Sequence, residues 1–316
     1  MENVQNIQNQ QITPTPENKP VKKMKIKRSN IIFAIISSCF LGFIVAIYLF
    51  ILGWAFMSAF KSDVNWLMDK IGLPTEIVFT NFEVAFKNFS IKVSGITFYI
   101  EDMLLNSVLY SIGSVLASIF VTSLVAYCCA KYNQYLICKI LYAIVIVVVV
   151  LPIVGSLPSA IQMSKAIGFY DNILGIIIQH AGFCNMNFLI FYGAFKGVSK
   201  TYSEAAFIDG AGQWSVYFRI ILPLVKSSLF AVGLLQFISY WNDFTVSLYY
   251  LPSHPVLSFG IQRFLSTGGG TGYVEQGVNN PMRLAIIFLS ASPILVLFFC
   301  FRKKLMSNIT VGGLKG

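Results

Sequence analysis

The chain has 316 residues, 56% of them hydrophobic and only 11% charged, with a mean hydropathy of +0.71. A soluble domain carries about 25% charged residues, so the composition excludes one and points to a polytopic helical membrane protein. The net charge is +10, but Lys and Arg flank apolar runs instead of forming one basic face. That argues against nucleic acid as a partner and for a lipid bilayer as the surroundings.

The ten-residue alternating segments of a membrane β-barrel are absent. Six cysteines, Cys39, Cys128, Cys129, Cys138, Cys184 and Cys300, lie in or beside apolar runs. No Cys or His spacing fits a metal site, so no metal, cofactor or disulfide framework is expected.

Residues 1–18 are rich in Gln, Asn, Thr and Pro, a composition that does not support a packed core. Six basic residues from Lys19 to Arg28 follow, then the apolar run 31–57. That run is too long for a signal-peptide core and no small-x-small cleavage site follows it, so it reads as an uncleaved first span. The loop 59–102 is acidic on balance, which suits an outer location. Phe79, Phe82, Phe86 and Phe89 recur there at helical spacing and predict a short amphipathic helix on the outer surface.

Further spans are expected over 103–130, 140–161 (with Pro152 and Pro158 inside), 173–195, 229–248 and 282–301. Sixteen of the 23 Lys and Arg residues then fall on the side shared by both termini. The expectation is an all-α membrane protein of six spans, multi-pass in the cell membrane with both termini cytoplasmic. Its parts are a basic N-terminus 1–29, a permease domain 30–304 and a tail 305–316. The loop 196–226 would then lie inside.

That loop breaks the apolar runs on either side of it. Thr201 and Glu204 fit a capping box that starts a helix at Tyr202. Ala205 and Ala206 give it a low-relief face. Gly210 suits a left-handed cap. A second helix over 213–222 would end at Pro223, which allows a bend. The expected shape is helix, glycine turn, helix, proline.

The spacing Glu204-Ala205-Ala206, Asp209-Gly210, Ile220, Leu222-Pro223 resembles the EAA loop of ABC importer permeases, and Asp209 resembles the sugar-importer form. Asn106-Ser107, Ala126-Tyr127 and Trp241-Asn242-Asp243 are similar to that branch. The tail Gly312-Gly313-Leu314-Lys315-Gly316 resembles the glycine-rich end of the maltose-type second permease. The resemblance implies that the elbow docks on an ATPase subunit. It implies two ATP-binding subunits, a second, paralogous permease and an extracytoplasmic solute-binding protein as partners. Two departures stand out: Ser199-Lys200 replaces a proline often found before the elbow, and the loop 59–102 is long.

The expected function is that of a permease subunit of an ATP-driven importer, for a sugar or oligosaccharide, with a non-sugar solute as the alternative. No enzyme activity is expected, since the chain has no Gly-x-x-x-x-Gly-Lys-Ser/Thr loop. An ion-coupled secondary transporter would need paired intramembrane charges and inverted repeats. Only Asp243 lies deep in an expected span, and no repeat is seen. Trp241, Asn242 and Asp243 carry two readings: a share of the solute pathway, with Trp241 stacking on a sugar, or a structural cluster near the outer helix end. His180 reads as an outer-interface residue before a proton relay.

Overall fold

The computed structural model describes residues 28–151, 155–266 and 279–309. The chain divides into two units, Met1–Gly53 and Trp54–Gly316. In the first, helix α1 (Arg28–Ser58) begins. Its apolar side chains, Phe33, Phe40 and Phe50 among them, are exposed. In water such a helix would be unstable; hydrocarbon is the medium it fits.

The second unit opens on a structured segment. Helices α2 (Asp63–Met68) and α3 (Thr80–Asn88) precede a hairpin of β1 (Ser90–Val93) and β2 (Ile96–Tyr99). Ser90 faces Tyr99 and Val93 faces Ile96 across the antiparallel pair. Ser94 (φ 51°) and Gly95 (φ 88°) form the tight turn, and positive φ at both central residues matches the twist of the strands. The protein is therefore mostly helical, not all-α.

The expected aromatic helix exists as α3, but it does not lie free on a surface. Asn81 donates from Nδ2 to the carbonyls of Ala59 (2.9 Å) and Lys61 (2.8 Å). Ala85 and Phe89 are fully buried, whereas Phe79 stays 68% exposed. Lys61 is also fully buried, and its Nζ donates to the Asp69 carbonyl at 2.8 Å. Buried donors need such partners, and here they fasten the segment to the end of α1.

Helix α4 (Ile100–Lys131) is the axis of the unit. Ser107, Ser111, Ser114, Ser118 and Thr122 repeat along one face, all buried. Small residues at this period let neighbouring helices approach closely. Ser111 Oγ donates to the Ser107 carbonyl one turn back, the local bond available to serine in a dry helix. Other bonds cross to neighbours: the Leu257 amide donates to Ser107 Oγ (2.8 Å), and Gln236 Nε2 donates to Ser118 Oγ (2.9 Å).

Helices α5 (Leu136–Val150) and α6 (Leu157–Ala166) replace the third expected span. The chain breaks between them near Gly155 (φ 80°); Pro152 lies outside the described residues. Pro158 sits in the first turn of α6, where a missing N–H costs nothing. The fourth expected span is also two pieces, α7 (Ile173–Gln179) and α8 (Met186–Lys196). Asn172 and Asn185 cap their N-termini through side-chain oxygens, so the polar residues of that stretch serve as punctuation. A β-carbon on Gly175 would come within 2.6 Å of the Phe169 Cα, which fixes glycine there.

The remaining helices are α9 (Lys200–Ile208), α10 (Gln213–Ser215), α11 (Leu222–Leu224), α12 (Lys226–Trp241), α13 (Thr245–Tyr249), α14 (Leu257–Ser266) and α15 (Asn280–Ile309). Among the described residues three helical stretches are long and apolar enough to cross a membrane: Ile32–Ser58, Ile100–Lys131 and Asn280–Phe301. A fourth candidate is the bent pair Gln213–Leu224 and Lys226–Trp241. Two apolar cores form, one around Met103, Tyr110, Trp241 and Ile286, the other around Tyr127, Phe188, Ala206 and Tyr217. Helix α4 contributes to both.

Asp171 (φ 56°) clasps two turns. Its amide donates to the Tyr250 carbonyl (2.8 Å), and its Oδ1 accepts from the Ser253 amide (2.9 Å). Burial pushes the carboxyl up, but hydrogen bonds from Ser253 and the nearby His254 outweigh it and leave the pKa below the ordinary 3.8.

Candidate functional site

The elbow begins at Ser199, not at Thr201. Ser199 is the N-cap of α9 and its side chain accepts from the Thr201 amide (3.3 Å). The expected capping box of Thr201 and Glu204 does not form, because the helix starts two residues early. Glu204 is left exposed. At the other end Gly210 has φ 81°. Its amide donates to the Phe207 carbonyl (3.1 Å), and the Ala211 amide donates to the Ala206 carbonyl (2.9 Å). This pair of bonds satisfies the last carbonyls of the helix and needs a left-handed residue at that position.

Helix α9 has two faces. Ser203 and Ala206 are buried, and Phe207 packs against the Tyr127 and Tyr217 core. Tyr202, Ala205 and Asp209 face outward along an open crevice of about 580 Å³ that Ile220 also lines. The two adjacent alanines thus divide: Ala205 lies on the exposed face and Ala206 holds the helix to the core.

The second arm is not one α-helix over 213–222. Helix α10 passes into a π-helical segment, Val216–Ile221, and then into α11. Such segments are rare and concentrate at functional sites. Tyr217, 2% exposed, bonds through its hydroxyl to Ser123 Oγ at 2.9 Å and pins this arm to α4. Ile221 is buried, Ile220 and Leu222 are half-buried and Pro223 is exposed. The arm meets α12 at a bend of 76°, close to where Pro223 predicts one.

Three elbow residues escaped the sequence reading. Tyr202 is 54% exposed, Trp214 62% and Ile208 86%. Large exposed apolar side chains grouped on one loop are a feature that contact surfaces share. The available signal was their presence in a loop between apolar runs.

Residues 122–303 match the sequence profile of the binding-protein-dependent transport system inner membrane component. The chain belongs to that family. It is a transport permease, a multi-pass inner-membrane protein and not an enzyme. The permease is 24% identical over 264 residues to the diacetylchitobiose uptake system permease protein NgcG of Streptomyces coelicolor, covering 82% of each chain. It is 23% identical to the arabinooligosaccharides transport system permease protein AraQ of Bacillus subtilis, covering 90% of this chain and 97% of that one. Among solved structures it resembles a chain of a bacterial ABC transporter involved in import of the acidic polysaccharide alginate. That match has a TM-score of 0.69 at 23% identity, covering 88% of the permease and 98% of that chain.

The second candidate group, Trp241-Asn242-Asp243, does not lie inside a helix. α12 ends at Trp241, and Asn242 and Asp243 occupy the break before α13. Trp241 is 3% exposed. Its indole donates to the Ser290 carbonyl of α15 at 3.0 Å, and its ring stacks on Phe237. Neither an exposed sugar-stacking face nor an interfacial anchor describes it in this conformation. Asn242 is exposed. Asp243 is half-buried and accepts from the Tyr110 hydroxyl (3.2 Å) and from Thr245.

His180 is half-buried. Its Nδ1 is 3.1 Å from Ser114 Oγ, and its ring stacks on Tyr240 at 4.8 Å. The tail residues Gly312, Gly313 and Lys315 lie outside the described residues.

Proposed function

We propose that this permease imports a sugar or oligosaccharide and that the elbow is its ATPase contact. The observation that carries the second half is the built geometry of α9, a short helix anchored by Ala206 and Phe207 that turns an exposed face to solvent. The contact comprises Glu204, Ala205, Asp209 and Gly210, joined by Tyr202, Ile208 and Trp214. Ala206, Ile220, Leu222 and Pro223 position it. Similarity to permeases for diacetylchitobiose, arabino-oligosaccharides and melibiose supports a carbohydrate. Two ATP-binding subunits, a second, paralogous permease and an extracytoplasmic binding protein complete the assembly. The tail Gly312, Gly313 and Lys315 would reach the ATPase pair. The share of the pathway on this subunit is Asn242 and Asp243, with Trp241 as their support. Uptake by the reconstituted complex of diacetylchitobiose, arabino-oligosaccharides and raffinose tests the substrate class. Uptake of a non-sugar solute and of none of them, with ATPase coupling intact, overturns the sugar reading. Uptake driven by an ion gradient without ATP overturns the importer reading.

The proposal also holds six spans, with both termini and the elbow cytoplasmic. Helix pairs α5 with α6 and α7 with α8 would each cross as one broken span, which membrane proteins tolerate where neighbours bury the break. Cysteines placed at Thr75 and Thr271 are expected to label from outside, and those at Thr13 and Lys315 only after permeabilisation. The reverse pattern would put the elbow beyond the reach of ATP.

A further inference from the structure

Lys131 is the last residue of α4 and stands against the elbow. Its Nζ is buried and meets no hydrogen-bond acceptor among the described residues. It lies 4.5 Å from the centre of the Phe207 ring and 5.8 Å from that of Tyr127. Glu204, three residues before Phe207, is the opposite charge that acts on it. All four residues line a cavity of about 420 Å³ between α4 and α9.

An ammonium out of water without an acceptor is costly. Ring faces and a nearby carboxylate offset that cost only while they stay close, because the attraction to a ring fades beyond about 6 Å. Lys131 is half-buried, and Phe207 and Glu204, which flank its Nζ, are both on α9. The attraction of ring and counter-charge is lost when α9 slides away from α4, so that attraction opposes separation of the two helices. At its other end α4 is bonded through Tyr110 to Asp243 and through Ser107 to Leu257.

We propose that Lys131 is the positioning residue that makes the elbow and α4 move as one body, so that displacement of α9 reaches Asp243 and the α14 turn through a single helix. The proposal rests on the elbow being the ATPase contact. Its ground is the buried, acceptor-free ammonium seated on Phe207, and the network along α4 beyond it.

The test uses the full complex with its ATPase subunits, partner permease and binding protein, reconstituted in liposomes. Lys131→Met keeps the apolar stem and removes the charge. It is expected to assemble and to keep basal ATP hydrolysis, while stimulation by the binding protein loaded with the best substrate of the sugar panel falls about tenfold. Lys131→Arg is expected to retain at least half of that stimulation. Phe207→Leu, which removes the ring but keeps apolar bulk, is expected to lose stimulation by the same factor, and the double variant to be no worse than either.

Wild-type uptake per ATP in Lys131→Met overturns the proposal, as does an arginine variant no better than the methionine one. Should Lys131→Met fail to assemble, Lys131→Gln decides: normal stimulation overturns the proposal and a tenfold loss supports it. Gly210→Val in the same assay separates the two claims. Normal ATPase binding there removes the docking reading, whereas a defect there beside a normal Lys131→Met removes only this one.

Discussion

Gly210→Val is expected to reduce uptake to background while the protein still inserts in the membrane. Gly210 has φ 81°, where a β-branched residue is a genuine outlier. No atom lies within 4 Å of where its β-carbon would be, so the cost is conformational and not steric crowding. A strained non-glycine residue of this kind costs roughly 1–3 kcal/mol. The easiest relief is to unwind the last turn of α9, which gives up the Gly210 to Phe207 and Ala211 to Ala206 bonds. Ile208 and Asp209 would then leave the contact face. Gly210→Ala should be milder, and Glu204→Lys should lose ATPase binding with the helix intact. Co-purification of the ATPase subunits and uptake in vesicles are the measurements. Normal values for both in Gly210→Val and Glu204→Lys would sink the docking assignment.

Trp241→Ala is expected to have the largest effect on assembly. Truncating a buried aromatic residue costs about 3–5 kcal/mol, and here it also leaves the Ser290 carbonyl without its indole donor. The amount of assembled permease should fall several-fold, while apparent substrate affinity per complex stays unchanged. Asp243→Asn is the contrast. It keeps the shape but weakens the carboxylate bonds from Tyr110 and Thr245, and a share in the pathway predicts changed affinity with coupling intact. Changed affinity in Trp241→Ala at normal assembly would return the tryptophan to the pathway. Lower assembly and unchanged affinity per complex in Asp243→Asn would remove the aspartate from it.

Composition and apolar runs were enough to determine a membrane protein, and the spacing from Glu204 to Pro223 was enough to locate the elbow. These are properties that local chemistry controls. Hydrocarbon demands long apolar helices, a left-handed cap favours glycine, and proline beyond the first turn disfavours an unbroken helix. Even there the cap moved to Ser199, because two oxygen-bearing residues competed for one role and only the tertiary position of α9 chose between them. The same physics hid the break between α5 and α6 and that between α7 and α8. Apolar residues on both sides of a break look like one span, and the polar groups that end a helix look like polar positions within it.

The hairpin at Ser94-Gly95 was legible as a turn signal but was overlooked, since phenylalanines at helical spacing dominated that loop. Other features belong to the tertiary structure alone. Trp241 could stack on a sugar, anchor at an interface or fill a core, and only the arrival of Phe237 and Ser290 made it core. Lys131 read as a span terminus by charge. Its seat on Phe207 depends on the elbow folding back 76 residues later in the chain, a meeting that no local pattern encodes.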